Sequence, residues 1–299
     1  MKSYRLYQID AFTDRLFKGN PAGVVPNADG LTDDQMQQIA REMNISETAF
    51  ILSADAEDHD VWVRFFTPTT EVPICGHATV SAHYVKALES GSNGGICVQK
   101  TGAGLLPVQT VTDGDDYKIE MTQGEISFKE PISGHLYEAV LEALGLTDDD
   151  RDLRYPVQEA STGHSKIMVP IRSREKLNSL NPDMAALMSL SKELGCNGYF
   201  VFMLDQQQEL QSHGRMFAPA MGIPEDPVTG NANGPLGAYV AHHGIAGIET
   251  GTFSFVGNQG EAMGRPGQVD VIVEIEDGQP QQVRIRGGAV KVFQTELQL

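Results

Sequence analysis

Arg64-Phe65-Phe66-Thr67-Pro68, running on to Cys75-Gly76-His77-Ala78-Thr79, is echoed by Arg215-Met216-Phe217-Ala218-Pro219, running on to Thr229-Gly230-Asn231-Ala232-Asn233. In each copy an Arg-x-Phe-x-Pro strand leads to a glycine turn and then to a helix of small residues. The turn glycines, Gly76 and Gly230, stand about half the chain apart, which predicts two similar lobes. If those lobes face each other, two helix starts meet at one cleft. The first N–H groups of a helix lack internal partners and carry the positive end of its dipole, so such a cleft would hold carboxylates. A glycine met once need do no more than close a turn; its duplication beside an acid points to a site.

Composition narrows the classes. The 299 residues are 40% hydrophobic, enough for one large or two ordinary cores. The formal net charge is -18 and no stretch of Lys and Arg forms a basic stripe, which argues against nucleic acid and anionic membranes as partners. No leader-like opening and no apolar run of membrane-spanning length occurs, so a soluble, cytoplasmic protein is expected. The three cysteines, Cys75, Cys97 and Cys196, are too scattered for a disulfide framework or a C-x-x-C metal spacing, and reduced thiols are expected.

Outward from the repeat, Tyr4 to Phe12 alternates as a strand, and Phe17 to Gly23 reads as a loop before Val24-Val25. Thr32 with Gln35 forms a capping box, followed by Met36, Ile39, Ala40 and Met43 at helical spacing, so residues 32–43 are predicted helical. Ser46 to Leu52 and Trp62 to Thr67 read as strands. Residues 77–89 are small or apolar nearly all round and belong inside something; Ala232 to Val240 is their counterpart, with Pro235 placed in its first turn. Each lobe would therefore wrap a strongly curved sheet around one central helix. Further strands are predicted at 108–111, 117–121, 166–170, 199–204, 252–256, 269–275, 282–286 and 289–293, antiparallel by their spacing. Amphipathic helices are predicted at 134–145 and 182–194, and a linker between lobes at 122–134.

Several residues could carry chemistry. Glu47 interrupts a strand that then turns apolar; buried there, its pKa would rise and suit a general base, while exposed it would be a solvated strand end. His77 follows the turn glycine, where the helix dipole would hold the imidazole neutral, either for proton transfer or as a capping and packing residue. Asp226 enters the second helix, to orient a ligand amine or hydroxyl or to rigidify the turn. Cys75 sits where a helix start would lower a thiol pKa, but its opposite number is Thr229, so a racemase using two thiols is not available, and a small buried residue is the simpler reading. No Gly-x-Gly-x-x-Gly, Walker or Gly-x-Ser-x-Gly pattern occurs, and His242-His243 lacks a metal-ligand spacing.

These motifs, in order, resemble the PhzF family of phenazine-biosynthesis-like isomerases, with its YddE-type bacterial members: Asp10-Ala11-Phe12-Thr13, Gly19-Asn20-Pro21-Ala22-Gly23-Val24, Ser46-Glu47-Thr48-Ala49-Phe50, Pro73-Ile74-Cys75-Gly76-His77-Ala78-Thr79, Asp226-Pro227-Val228-Thr229-Gly230-Asn231-Ala232, and Gln259-Gly260 with Gly264-Arg265-Pro266. The resemblance implies an α+β, diaminopimelate epimerase-like fold. Its two pseudo-symmetric lobes would each have a barrel-like, mainly antiparallel sheet around a central helix, here over 1–126 with 289–299 and over 127–288. It implies a homodimer and cofactor-independent acid/base isomerisation, with Glu47 as the proton-shuttling acid/base and His77 and Asp226 assisting; from the motifs above, no metal is expected. Asn231 stands where the phenazine-pathway enzyme has serine.

The expectation is thus an isomerase of a small carboxylate-bearing metabolite, bound between lobes by Gly76, Gly230 and Asn231. The alternatives are an amino- or hydroxy-acid epimerase or racemase, and a small-molecule-binding protein without turnover.

Overall fold

A computed structural model describes residues 2–206 and 209–299. The chain packs as two compact units, Met1–Thr122 with Arg286–Leu299, and Gln123–Ile285. The first carries β1 (Ser3–Ala11), β2 (Asn20–Val25), α1 (Asp33–Met43), β3 (Glu47–Ser53), β4 (Val61–Phe66), β5 (Glu71–Val72), α2 (Gly76–Ser90), β6 (Gly95–Thr101), β7 (Gly104–Asp113) and β8 (Asp116–Thr122). The second carries β9 (Ile126–Phe128), α3 (Gly134–Leu144), β10 (Gln158–Thr162), β11 (Ser165–Pro170), α4 (Arg174–Ser179), α5 (Met184–Leu194), β12 (Tyr199–Asp205), β13 (Gln211–Ala218), β14 (Ile223–Asp226), α6 (Gly230–His242), β15 (Gly251–Gln259) and β16 (Gly267–Glu276). A last strand, β17 (Gln279–Gln298), starts in the second unit and ends in the first.

In the first unit the ladder runs β17–β1–β2–β3–β4–β6–β7–β8 and returns to β17, a closed ring. Closure gives each strand of the ring a partner on both sides. The second unit repeats the same order, β9–β10–β11–β12–β13–β15–β16–β17, and the segment entering β9 is tied to β17 by Gln123 N–H donating to Val283 O at 2.8 Å. The β16–β17 hairpin turns on Asp277-Gly278, both at positive φ, which is the pairing a two-residue hairpin prefers. In each ring two pairs are parallel, β2–β3 and β4–β6 in one, β11–β12 and β13–β15 in the other, departing from the antiparallel expectation drawn from spacing.

The central helices occupy matching places, α2 between β5 and β6 and α6 between β14 and β15. Ten residues of α2, from His77 to Ala87, are buried, which is why its sequence is apolar or small on every side. Glycine lets α6 lie close on its sheet: a Cβ at Gly237 would meet Val271 Cγ1 at 2.5 Å. Pro235 falls in the second turn of α6 rather than the first, so the Asn231 carbonyl lacks its usual intrahelical donor. Outside the rings, α1 packs Met36, Ile39 and Ala40 on Val25, Phe50 and Phe66, while α3, α4 and α5 pack on Ile167, Val169, Tyr199 and Val201.

The repeated Arg of Arg-x-Phe-x-Pro has a structural task. Arg64 forks onto Glu71 through Nε and an amino group at 2.8 and 2.7 Å, and Arg215 forks onto Glu225 at 2.8 Å twice, each pinning the short strand beside it. Three further sequence expectations change. Asn20 to Gly23 belongs to strand β2 rather than a loop, and 282–293 lies within one unbroken strand. The segment expected as a linker starts at the boundary of the two units, after Thr122, but is bonded into the second unit by Gly124 N to Thr162 O and Ile132 N to Val157 O.

Candidate functional site

In the first unit, Glu47, Cys75 and His77 come together. Ladder register sets Glu47 at the first position of β3, opposite Ala22 of β2, on the face turned to α2. Cys75 is the N-cap of α2 and His77 its second residue. Glu47 is 8% and His77 7% exposed, so both charges are withdrawn from water. His77 Nε2 lies 3.2 Å from Glu47 Oε2 and 3.1 Å from Ser46 Oγ, and its Nδ1 lies 3.4 Å from Cys75 Sγ. Glu47 Oε2, the carboxylate oxygen nearest the imidazole, is held by the charge contact with His77 and, among the described residues, by no aligned hydrogen bond.

The electrostatics reverse three expectations. Burial works against ionisation of Glu47, yet the His77 imidazolium, with Ser46 and Cys75, outweighs it and holds the carboxyl below the ordinary range instead of raising it. Burial likewise opposes a charged His77, but the Cys75 sulfur and the Glu47 carboxylate beside it hold its pKa well above the usual histidine value, so the ring is not kept neutral. Burial, then the Glu47 charge, pushes the Cys75 thiol up rather than down. With the thiol protonated, the anion facing His77 is Glu47. The resting site is therefore an imidazolium–carboxylate pair with a neutral thiol at its side.

Glu47, Cys75 and His77 also offer one ligand atom each within 4.8 Å of one another, an O, S, N set able to receive a metal ion. All three cysteines are buried and free. Gly76 has neither a positive φ nor a crowded neighbourhood, since a Cβ there would meet nothing within 4 Å. Backbone geometry does not demand glycine at that helix start.

In the second unit, Asp226 ends β14 and accepts from the hydroxyl of Thr229, the N-cap of α6. Gln259 holds this turn: its amide donates to Asp226 O at 2.8 Å and Thr229 Oγ1 at 3.1 Å, and its carbonyl accepts from Thr229 N–H at 3.1 Å. Sequence reading had placed Gln259 in a motif without a role; only the fold shows that it locks the Asp226 turn. Gly230 and Asn231 open α6, with Gly230 buried and Asn231 half-buried. The remaining histidine pair is structural: His242 stacks on Phe128 and His243 meets Gln158 Oε1 at 2.7 Å.

One contrast links the two helix starts. α1, α4 and α5 are capped by the side chains of Thr32, Ser173 and Asp183, whereas Cys75 and Thr229, like Ser133 at α3, give no side-chain hydrogen bond to their helices. Both central helices thus begin with N–H groups that no capping side chain takes up.

Comparison with known proteins places this geometry. Residues 9–295 match the family model described as phenazine biosynthesis-like protein. The chain is 54% identical to an uncharacterised isomerase of Clostridium acetobutylicum over 100% of this chain and 99% of the relative, and 48% identical to the isomerase YddE of Salmonella typhimurium over 98% and 97%. It is 32% identical to the trans-2,3-dihydro-3-hydroxyanthranilate isomerase of Pseudomonas chlororaphis over 94% and 95%. The solved structure of a PhzF-family protein from Bacillus anthracis superposes with a TM-score of 0.88 at 32% identity, covering 100% of both chains. A hydroxyproline epimerase of Agrobacterium vitis, 14% identical with a TM-score of 0.63 over 99% of this chain and 92% of its own, shares the fold alone. A match across almost the whole chain, relatives named as isomerases and a diaminopimelate epimerase-like α+β fold make this protein an isomerase belonging to the PhzF, phenazine biosynthesis-like, family.

Proposed function

We propose that the protein is a cofactor-independent isomerase that shifts a proton between two carbons of a small carboxylate-bearing metabolite, with Glu47 as the acid/base. The observation that carries this reading is the Glu47–His77 pair: a buried carboxylate, ionised at neutral pH, whose Oε2 lies 3.2 Å from an imidazolium and accepts no aligned hydrogen bond. Glu47 takes a proton from a substrate carbon, the electron pair left behind moves a double bond, and the protonated Glu47, its carboxyl proton exchanging with solvent between the two steps, delivers a proton to a second carbon of the same molecule. The imidazolium stays charged throughout and stabilises the negative charge that builds on the substrate as Glu47 is neutralised. The uncapped N–H groups at the start of α2, beside an unobstructed Gly76, supply fixed dipoles for a carboxylate or an enolate-like oxygen. Asp226, set by Thr229 and Gln259, orients an amine or hydroxyl of the ligand at the start of α6, with Gly230 and Asn231 as binding residues.

The relative from Pseudomonas chlororaphis is named for a cyclic amino acid bearing a carboxylate, which supports this substrate class. The test is incubation of wild type and Glu47→Gln with a cell metabolite extract, followed by mass-resolved chromatography. Wild type should convert one metabolite into a species of identical mass and new retention, and the variant should not. Equal conversion by both would refute the assignment of Glu47.

A further inference from the structure

The two units repeat so closely that their strands can be superposed by register, and this exposes a charged residue that the acid/base pair does not use. Phe66 of β4 and Phe217 of β13 occupy the same place in the repeated motif. Phe66 pairs with Thr48, and Phe217 with Tyr199, so the preceding residues, Glu47 and Gly198, are equivalents. One strand further on, Gly23 pairs with Thr48 and Ile167 with Tyr199, which makes Ala22 and Lys166 equivalents. Where the first unit has a carboxylate beside an alanine, the second has a lysine beside a glycine. At the position of the acid the second unit has a glycine, where a Cβ would meet Phe217 O at 2.7 Å, and the neighbouring strand supplies a cation.

Alternation fixes the direction of Lys166. Ile167 and Val169 pack in the core formed with α3, α4 and α5. Lys166, Met168 and Pro170 therefore take the opposite face. Pro170 pairs with Phe202, whose ring lies 5.7 Å from that of Tyr239 in α6, so this face is the one turned to the central helix.

The ammonium group is nearly without partners there. Lys166 is 3% exposed, and its Nζ donates to Ser165 O at 3.1 Å, the carbonyl of its own neighbour. Among the described residues no carboxylate forms an ion pair with it. The groups acting on its charge are Cys196, Asp226 and Glu159. Glu159, on β10, is engaged at 2.9 Å by Lys129, Asp226 holds the Thr229 hydroxyl, and burial keeps the Cys196 thiol protonated. Burial dominates and lowers the Lys166 pKa to about 8. A buried charge without a counter-ion costs stability, and an apolar side chain of similar length would be the better core residue. Such a group is expected where a ligand completes the pairing.

We propose that Lys166 is a cationic anchor for the carboxylate of an anionic ligand bound at the α6 side of the second unit. It rests on the reading above that the isomerase handles a carboxylate, and adds which side chain holds it. One ammonium N–H is taken by Ser165 O, which leaves two without a partner among the described residues, and Asp226, at the turn into α6, is among the groups whose charge acts on it. Binding would tie the ammonium to an anion and raise its pKa.

Benzoate and its neutral counterpart benzamide test the proposal in protein carrying isotope-labelled lysine. The Lys166 side-chain resonance, assigned from Lys166→Arg, is followed through pH 6 to 10. Benzoate should move its titration midpoint to higher pH and benzamide should not. Lys166→Met should bind benzoate at least about tenfold more weakly, the loss expected for a hydrogen bond to a charged group, with benzamide binding unchanged. Its urea midpoint at or above wild type would exclude misfolding as the cause. Glu47→Gln should bind benzoate as wild type does, which separates this anchor from the acid/base. A Lys166 midpoint unmoved by benzoate, or undiminished benzoate binding by Lys166→Met, would overturn the proposal.

Discussion

Replacing Glu47 with Gln removes the counter-ion of a buried imidazolium and leaves the ring in place. In the wild type the two shifts act on stability in opposite pH directions. His77, with its folded pKa well above the unfolded value of 6.5, contributes stability that is complete below 6.5 and is lost as pH rises through the folded pKa. Glu47, with its folded pKa below 4.5, contributes stability present above 4.5 and lost as pH falls through the folded value. The pair is therefore worth most between 4.5 and 6.5. Orphaning one member of a buried pair typically costs ~3–5 kcal/mol. His77 can escape part of that cost by shedding its proton, since burial alone pulls its pKa down, which limits the expected loss to ~1–3 kcal/mol near pH 6, each pKa unit being worth ~1.4 kcal/mol. Urea unfolding at pH 6 and pH 9 measures this: the gap between wild type and Glu47→Gln should be largest at pH 6 and narrow at pH 9. Imidazole resonances should show His77 protonated at pH 7 in wild type and titrating at lower pH in the variant. Parallel stability profiles, with His77 titrating at or below 6.5 in the wild type, would refute the charged-pair description.

Other perturbations probe the surroundings. Gly76→Ala meets no neighbour and should leave stability unchanged or raise it by ~0.5–1 kcal/mol, while turnover falls because a methyl group occupies the approach to the helix start; retained turnover would remove the ligand from that position. Arg215→Ala strands the Glu225 carboxylate and the carbonyls of Leu177 and Leu180, and should cost ~3–5 kcal/mol in urea unfolding. Arg64→Ala should cost ~1 kcal/mol, since its partners Asp33 and Glu71 reach solvent. Cys75, buried with a raised pKa, should resist iodoacetamide at pH 8 in the native state and react fully in urea; rapid native labelling, read by mass, would contradict the protonated thiol.

Much of the fold was readable because the signals were local. The Thr32–Gln35 capping box and its apolar spacing gave α1 almost to the residue, and the all-round apolar character of residues 77–89 announced a central helix. The repeated Arg-x-Phe-x-Pro marked corresponding strands, though its arginines turned out to pin the short strands β5 and β14. Parallel pairing escaped because it is set by crossover connections that residue spacing does not record. The Asn20-Pro21-Ala22-Gly23 segment looked like a loop by its turn residues, yet tertiary pairing with β1 and β3 made it a strand. At the site, sequence named Glu47, His77 and Cys75 but mistook their charge states. Each was judged against burial or the helix dipole alone, while contacts of 3 to 4 Å among the three decide the outcome. Lys166 carries no motif and became visible only through the ladder register that sets it beside Gly198.

The central claim, that Glu47 moves a proton between carbons, is tested most directly in heavy water. Wild type incubated with a metabolite extract in D2O should place deuterium on carbon in a single isomer pair, and Glu47→Gln should place none. Deuterium incorporation by the variant equal to wild type, or no incorporation by wild type, would contradict the account.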